Sequence, residues 1–498
     1  MYINTTSFKT VYYLNNNYMK NHIELCINGE THHAYGEDAF LPLSDYLRTK
    51  LHLVGTKEVC IEGDCGACTT LLGRLKNEKF YYETIDSCIS YVYQLNNCHV
   101  VTVEGIKNSK LNSVQESMIT SHGAQCGYCT PGIVVSLYSF FNSCSKKTCT
   151  KSDIQDALTG NLCRCTGYET IVEAGLTLDN NSIEKLSDIY SEDKLLAILG
   201  KETKENIEIN TNDYVFYQPV TLKEALKLKN ENPDTKILAG GTDLHVMCNK
   251  RDFSLKKILY VSNLKELKSI EVKDNHITIG AAVTLSEFEQ SVSEYYTDLK
   301  EFLNLFASPQ IKNIGTLVGN IANASPIGDT LPFLLVMDSE LELESVNGKR
   351  KVNMNNFYKG YKSLAMESNE IITHVNIPLL KKDEILKLYK VSKRKHLDIS
   401  SFSAAIRMKE KNGIIESFII AFGGVGPTVQ RIYEIESYLT GKRLCEDILN
   451  EAAQMIENII KPISDVRGHK EYRLQLAKNI LKKFYFELLE SDKKKVLA

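Results

Sequence analysis

Eight cysteines carry the most specific chemistry in the sequence. Cys60, Cys65 and Cys68 stand in C-x4-C-x2-C spacing, and Cys88 lies downstream as a fourth thiolate donor. That spacing suits a plant-type [2Fe–2S] centre. At this cysteine frequency roughly 0.01 accidental matches to the triplet are expected, so chance is disfavoured. The intervening residues fit as well. In CIEGDCGAC, Gly63 and Gly66 let the backbone wrap closely round sulfur and aim N–H groups at sulfide, which favours the negative charge of a cluster. A four-cysteine zinc site is the alternative, although zinc knuckles use paired C-x2-C and need no glycine-lined loop.

A second set is spread over two segments. Cys126 and Cys129 lie in AQCGYCTPG, and Cys163 and Cys165 in NLCRCTGY, each pair where one predicted helix ends and another begins. Two helix-joining turns can pinch a second centre between them, with Gly127, Gly132, Gly160 and Gly167 supplying tight turns. Spacing alone leaves zinc open here. The other six cysteines, Cys26, Cys98, Cys144, Cys149, Cys248 and Cys445, have no paired metal spacing and read as core or surface thiols, a Cys144/Cys149 redox pair being the alternative. The eleven histidines include the neighbours His32 and His33 but form no H-E-x-x-H or Cys/His finger, so none is assigned to metal.

Glycines mark a third candidate. ILAGGTDL, residues 237–244, has the Gly-Gly that lets backbone amides approach a pyrophosphate. It lacks G-x-G-x-x-G, and a structural strand-to-turn glycine pair is the competing reading. SPQIKNIGTLVGNIANASPIGD combines Gly315, Gly319, Asn320 and Asp329, a wall suited to phosphate and ribose.

The elements that must position these residues follow from length and periodicity. At roughly 150 residues per domain, 498 residues suggest about three domains. Lys+Arg 59 against Asp+Glu 62 gives a net charge of −3 and no electrostatic footprint for nucleic acid or an anionic membrane. The N-terminus lacks the order of a secretory signal, and the greasiest stretch, GIVVSLYSFF, is far short of a spanning helix, so a cytoplasmic protein is expected. In that compartment a cysteine excess points to metal or redox chemistry rather than disulfides.

Residues 1–21 form an N-terminal extension without an assigned role. Residues 22–105 read as strands and turns, opened by the Asn-Gly hairpin signal of HIELCINGE. Residues 106–180 turn helical, with Ser152 a candidate N-cap for SDIQDALTG. The polar, charged run 181–212 reads as a linker. Residues 213–384 alternate helix and strand, and 385–498 begin with three antiparallel strands followed by helices. The expected class is a multidomain α+β chain with its cysteine chemistry at the front.

CIEGDCGAC, QCGYCTPG and NLCRCTGY, in that order, resemble the iron–sulfur half of the molybdenum hydroxylases, the xanthine dehydrogenase family. ILAGGTDL and SPQIKNIGTLVGNIANASPIGD resemble its flavin module, so the likeness runs from about residue 22 to the end, taking in KRKHLDIS (393–400), AFGGVGPTVQR and DVRGHKEYR (465–473). The resemblance implies a β-grasp ferredoxin-like domain and a helical domain, each holding a [2Fe–2S] cluster, then an α+β FAD-binding domain and a C-terminal domain of three strands plus helices. It implies FAD contacts from Ile237, Leu238, Ala239, Gly240, Gly241, Thr242, Asp243 and Leu244, with Phe306, Thr316, Asp329, Ile372 and Lys390. It sets Gln125 against the pterin of a molybdenum cofactor on another polypeptide, and Tyr361 of FYKGYK near a nicotinamide, packing being the alternative for that tyrosine. Three departures stand out: Glu169-Thr170 after TGY where many xanthine dehydrogenases have Arg-Pro, Val318 where glycine is common, and Gly328 where serine is common.

The implied role is an NAD-dependent oxidoreductase subunit in a hetero-oligomer. Electrons would pass from the molybdenum centre of a large partner, oxidising hypoxanthine or xanthine towards urate, through two clusters to FAD and NAD+. No carboxylate stands out as a general acid or base, so no catalytic side chain is assigned. The alternatives are the same subunit of a hydroxylase acting on an aldehyde, nicotinate or carbon monoxide, a standalone NADH diaphorase, and a zinc scaffold.

Overall fold

Asn28 (φ 49°) and Gly29 (φ 88°) both adopt the left-handed conformation, and this two-residue turn pairs His22–Ile27 antiparallel with Glu30–Tyr35. The hairpin forms one edge of a five-stranded sheet ordered Glu30–Tyr35, His22–Ile27, His99–Val101, Thr69–Lys76, Lys79–Asp86. Its one parallel pair is His22–Ile27 with His99–Val101, the β-grasp arrangement expected for the ferredoxin-like unit. In the computed structural model, residues 19–76, 78–144, 149–200 and 205–497 are described; most of the expected N-terminal extension lies outside them.

The register of this sheet gathers the first cysteine set. Thr69 pairs with Asp86 at the ends of Thr69–Lys76 and Lys79–Asp86, so Cys68, just before one strand, and Cys88, just after the other, emerge side by side.

Helices Ser113–Thr120, Thr130–Ser143, Lys151–Ala157 and Glu169–Leu176 follow. Thr130–Ser143 buries Ile133, Val134, Leu137, Tyr138 and Phe141 in the shared core. The expected cap at Ser152 is corrected to Thr150. Thr150 Oγ1 accepts from the Asp153 N–H at 3.2 Å while the Asp153 carboxylate accepts from the Thr150 N–H at 2.9 Å, a reciprocal capping box that starts the helix two residues earlier.

The expected linker 181–212 is more ordered than its polarity suggests. It carries helices Leu186–Ile189 and Glu192–Leu199, whose Leu186, Leu195 and Leu199 are buried, and it ends in the strand Ile207–Asn210. That strand pairs with Val215–Gln218, so the sheet of the next unit begins at 207 rather than 213. Sparse leucines at helical spacing were enough to dock a segment whose composition is charged.

The central unit holds two sheets. One is ordered Ile207–Asn210, Val215–Gln218, Lys257–Tyr260, Lys236–Leu238, the last three parallel; the other is a five-stranded antiparallel sheet centred on Ile371–Pro378. The C-terminal sheet has four strands rather than three: Glu384–Val391, Phe402–Lys411 and Ile414–Gly423 are joined by a two-residue strand, Gln430–Arg431. A strand this short leaves no alternation to read. Helices Tyr433–Leu439, Glu446–Ile459 and Lys470–Leu497 cover that sheet. Among the described residues no helix is long and apolar enough to cross a membrane.

Candidate electron-transfer centre

The loop from Cys60 to Cys68 turns left-handed three times, at Ile61 (φ 51°), Gly63 (φ 71°) and Gly66 (φ 65°). This curls the backbone round the sulfurs. The Glu62 and Asp64 N–H groups reach Cys60 Sγ at 3.5 and 3.4 Å. Thiol contacts run from Cys65 to Cys60, from Cys60 to Cys88 and from Cys88 to Cys68. The Cys65 and Cys88 thiols and these N–H groups hold the Cys60 thiol far below its usual range, while the same contacts and burial push Cys65 and Cys88 up. Among the described residues no three of these sulfurs lie within 4.8 Å of one another.

The second set meets as two pairs. The Cys165 thiol donates to Cys126 Sγ at 3.6 Å, and Cys129 contacts Cys163. The Tyr128 N–H and the Cys165 thiol lower the Cys126 thiol. Burial opposes ionisation of Cys163, yet the Thr166 hydroxyl, 3.2 Å away, and nearby N–H groups bring it below its usual range. Burial and Cys163 push Cys129 up to about 12. Positive φ at Gly127 (79°), Gly167 (67°) and Tyr168 (69°) shapes the two turns, and the Cys163 N–H donates to Tyr168 Oη at 2.8 Å. Cys126, Cys165 and Gln125 are all exposed.

The two sets are in direct backbone contact. The Leu162 N–H donates to the Cys65 carbonyl at 2.9 Å, and Asn161 Nδ2 donates to the Gly66 carbonyl at 3.0 Å. A Cβ on Gly132 would lie 2.0 Å from the Gly66 carbonyl oxygen, so the helix after Cys129 rests on the first loop.

A cleft of about 920 Å3 lies against the first loop, within the size range of cofactor sites. All of Ile237–Leu244 line it, as do Phe306, Thr316, Asp329 and Lys390. Gly241 has φ 78°, and a Cβ on Gly240 would lie 1.9 Å from the Ile314 carbonyl oxygen, so the loop is a backbone cradle that larger residues would fill. Thr316 caps Leu317–Asn323, its Oγ1 accepting from the Gly319 N–H at 2.9 Å. Lys390 Nζ sits 2.5 Å from Asp329 Oδ2, and Ser400 Oγ donates to Asp329 Oδ1 at 2.5 Å. Burial pushes the Asp329 carboxyl above its usual range against the pull of Lys390.

Two further expected residues do not line the cleft. Ile372, on Ile371–Pro378, is buried in the core, because its strand is the middle of the antiparallel sheet. Tyr361 is 65% exposed and its neighbour Lys362, at φ 52°, lines the cleft instead.

Other lining residues went unassigned in the sequence. Glu62, Gly63 and Asp64 of the first cysteine loop share the wall, as do Arg394, Asp398 and Arg467. The last three fall in KRKHLDIS and DVRGHKEYR, so a signal was present. The supports behind the cradle had no such signal. Gln94 Nε2 donates to the Ala239 and Gly240 carbonyls at 3.3 and 3.1 Å. His245 Nδ1–H donates to the Ile89 carbonyl and Nε2 accepts from Tyr93 Oη, both at 2.8 Å. Asn249 Nδ2 donates to the Cys88 carbonyl at 2.8 Å.

Comparisons with known proteins agree with this geometry. Residues 102–176 match the family described as [2Fe-2S] binding domain, 207–380 the FAD binding domain in molybdopterin dehydrogenase, and 387–488 the CO dehydrogenase flavoprotein C-terminal domain. Xanthine dehydrogenase 1 of Arabidopsis thaliana is 31% identical over 90% of this chain and 38% of its own length. Xanthine dehydrogenase of Emericella nidulans is 29% identical over 94% of this chain and 38% of its own length, and aldehyde oxidase 1 of Bos taurus is 30% identical over 93% and 39%. The chain thus spans about two fifths of the length of these relatives. Among solved structures, a carbon monoxide dehydrogenase chain from Hydrogenophaga pseudoflava aligns with a TM-score of 0.52 at 26% identity, covering 55% of this chain and 96% of that one. Cysteine sets, flavin cradle and these matches agree: the chain belongs to the xanthine dehydrogenase, or molybdenum hydroxylase, family and contains its [2Fe–2S]-binding and FAD-binding domains.

Proposed function

We propose that this chain is the iron–sulfur and flavin subunit of a xanthine dehydrogenase, passing electrons from a large partner's molybdenum centre through two [2Fe–2S] clusters to FAD and then NAD+. The observation that carries the reading is a shared wall. Glu62, Gly63 and Asp64 of the first cysteine loop line the same cleft as the glycine loop 239–242, while the second set presents Cys126 and Cys165 to the exterior. When bound, the clusters would carry electrons singly and the flavin would exchange them in pairs with a nicotinamide.

The side chains position and tune. Cys60, Cys65, Cys68 and Cys88 would hold one cluster, and Cys126, Cys129, Cys163 and Cys165 the other, with N–H donors at Cys60, Cys126 and Cys163 favouring the charged sulfurs. Val246 and Ile311, from the flavin domain, pack with Cys68, Cys88 and Ile89 and keep water from that flank. Gly240 and Gly241 offer backbone amides to a pyrophosphate, and Lys390, fixed by Asp329 and Ser400, sets one charge inside the cleft. Gln125, exposed beside Cys126, faces the side from which a partner's pterin would approach, and Tyr361 stands exposed beside the cleft-lining Lys362 for a nicotinamide.

Relatives named xanthine dehydrogenase support the purine substrate. The aldehyde oxidase and carbon monoxide dehydrogenase likenesses support a second reading, the same subunit serving another hydroxylase. Metal, sulfide and flavin analysis of the purified chain tests the first layer, with about four iron and one FAD expected and bleaching of the visible spectrum by NADH. Zinc in place of iron would overturn it. Assaying the co-purified complex on xanthine against aldehydes, nicotinate and carbon monoxide separates the two readings.

A further inference from the structure

We propose that the outer face of the hairpin His22–Ile27/Glu30–Tyr35 is a binding site for one divalent transition ion of the zinc class, held by His22, Glu24 and His33. The three belong neither to the cysteine sets nor to the flavin cleft. Strand alternation places them together. Ile23, Leu25 and Ala34 point into the core, so His22, Glu24 and His33 share the opposite face, and the register sets Glu24 directly across from His33. One potential ligand atom from each residue lies within 4.8 Å of the other two. A tetrahedral ion with bonds of about 2.0–2.1 Å needs ligand atoms roughly 3.3 Å apart. Small side-chain rotations close that gap, and the His33 ring is exposed to solvent, with the His22 ring 5.2 Å away.

The surroundings favour ligation. The Tyr35 ring packs 4.7 Å from the His22 ring and limits where that imidazole can turn. Lys20 Nζ, 3.2 Å from Glu24 Oε2, is the group an incoming cation must displace. It has a second acceptor ready in Asn96 Oδ1 at 3.3 Å. Two imidazoles and one carboxylate suit Zn2+, Ni2+ or Cu2+ and not the oxygen-seeking Mg2+.

The location gives the ion a structural consequence. The Lys20 N–H donates to the Asn206 carbonyl at 3.0 Å, and the Glu208 N–H donates to the Lys20 carbonyl at 2.9 Å, so the chain just before the site is pinned to the edge of the flavin domain. An ion joining both strands of the hairpin would stiffen the end of the ferredoxin-like sheet that makes this junction.

The test uses the full chain loaded with its clusters and FAD. Zn2+ is titrated in competition with a chromophoric chelator while the cluster absorbance is followed. One Zn2+ per chain is expected, with a rise in Tm, unchanged cluster absorbance and no competition from Mg2+. His33→Ala and Glu24→Gln should each weaken binding by about tenfold or more, and Lys20→Met should tighten it. His32→Ala, on the inner face of the same strand, should change nothing. Absence of competitive binding, or binding that His33→Ala and Glu24→Gln leave unmoved, would overturn the site.

Discussion

Lys390 and Asp329 form an ion pair almost withdrawn from water, their side chains 2% and 6% exposed. Removing one partner of such a pair strands the other charge in the interior, at a cost of about 3–5 kcal/mol. Lys390→Met should therefore lower stability by that order in denaturant unfolding and reduce bound FAD in the purified chain. Adding Asp329→Asn should restore much of the stability but not the FAD, because the cleft would still lack its fixed cation. His245 sets a second expectation at this scale. Full burial brings its pKa down to about 4, so the folded protein keeps it neutral where the unfolded chain protonates it. Its contribution is intact above about pH 6.5 and is lost as pH falls towards 4, a change of about 3 kcal/mol. His245→Gln should flatten this part of the stability profile, measured as Tm against pH.

Among elements, the seat of the helix Thr130–Ser143 on the first cysteine loop decides the sign of a substitution. Alanine inside a helix is ordinarily favoured over glycine by roughly 0.5–1 kcal/mol. At Gly132 the added Cβ would meet the Gly66 carbonyl oxygen at 2.0 Å, rigid backbone that cannot step aside. Gly132→Ala should therefore destabilise by about 1–3 kcal/mol and lower the iron content of both sets. At Gly175, in Glu169–Leu176, the nearest atoms belong to the Ile154 side chain at 2.8 Å, which can rotate, so Gly175→Ala should cost less in the same unfolding assay.

Three parts of the molecule meet on one buried side chain. Gln310, from the flavin domain, donates through Nε2 to Thr69 Oγ1 of the ferredoxin-like sheet at 3.2 Å and to Asn161 Oδ1 and Ser136 Oγ of the helical unit at 3.4 and 3.5 Å. Its Oε1 lies where a Cβ on Gly160 would be, which is why that turn is closed by glycine. Gln310→Ala should leave buried polar groups unmet at about 1–3 kcal/mol. It should also slow NADH bleaching of the clusters in stopped-flow more than it changes flavin content, since the link between the parts loosens while the cradle is untouched.

Much of the site was legible in the sequence because its chemistry is local. C-x4-C-x2-C with its glycines, the paired cysteines of the helix-joining turns and the Gly-Gly of 237–244 each need only a short stretch of chain to declare themselves, and so did the Asn-Gly hairpin. The capping box at Thr150 was open to reading as a local T-x-x-D, whereas the strand Ile207–Asn210 and the two-residue fourth strand Gln430–Arg431 rest on contacts or on runs too short to show a period. Tertiary structure alone placed Glu62–Asp64 in the flavin wall, seated Gly132 on Gly66 and moved Ile372 into the core. It alone drew His22, Glu24 and His33 onto one face, because pairing across strands depends on register, and a sequence lists neighbours along the chain but not across a sheet.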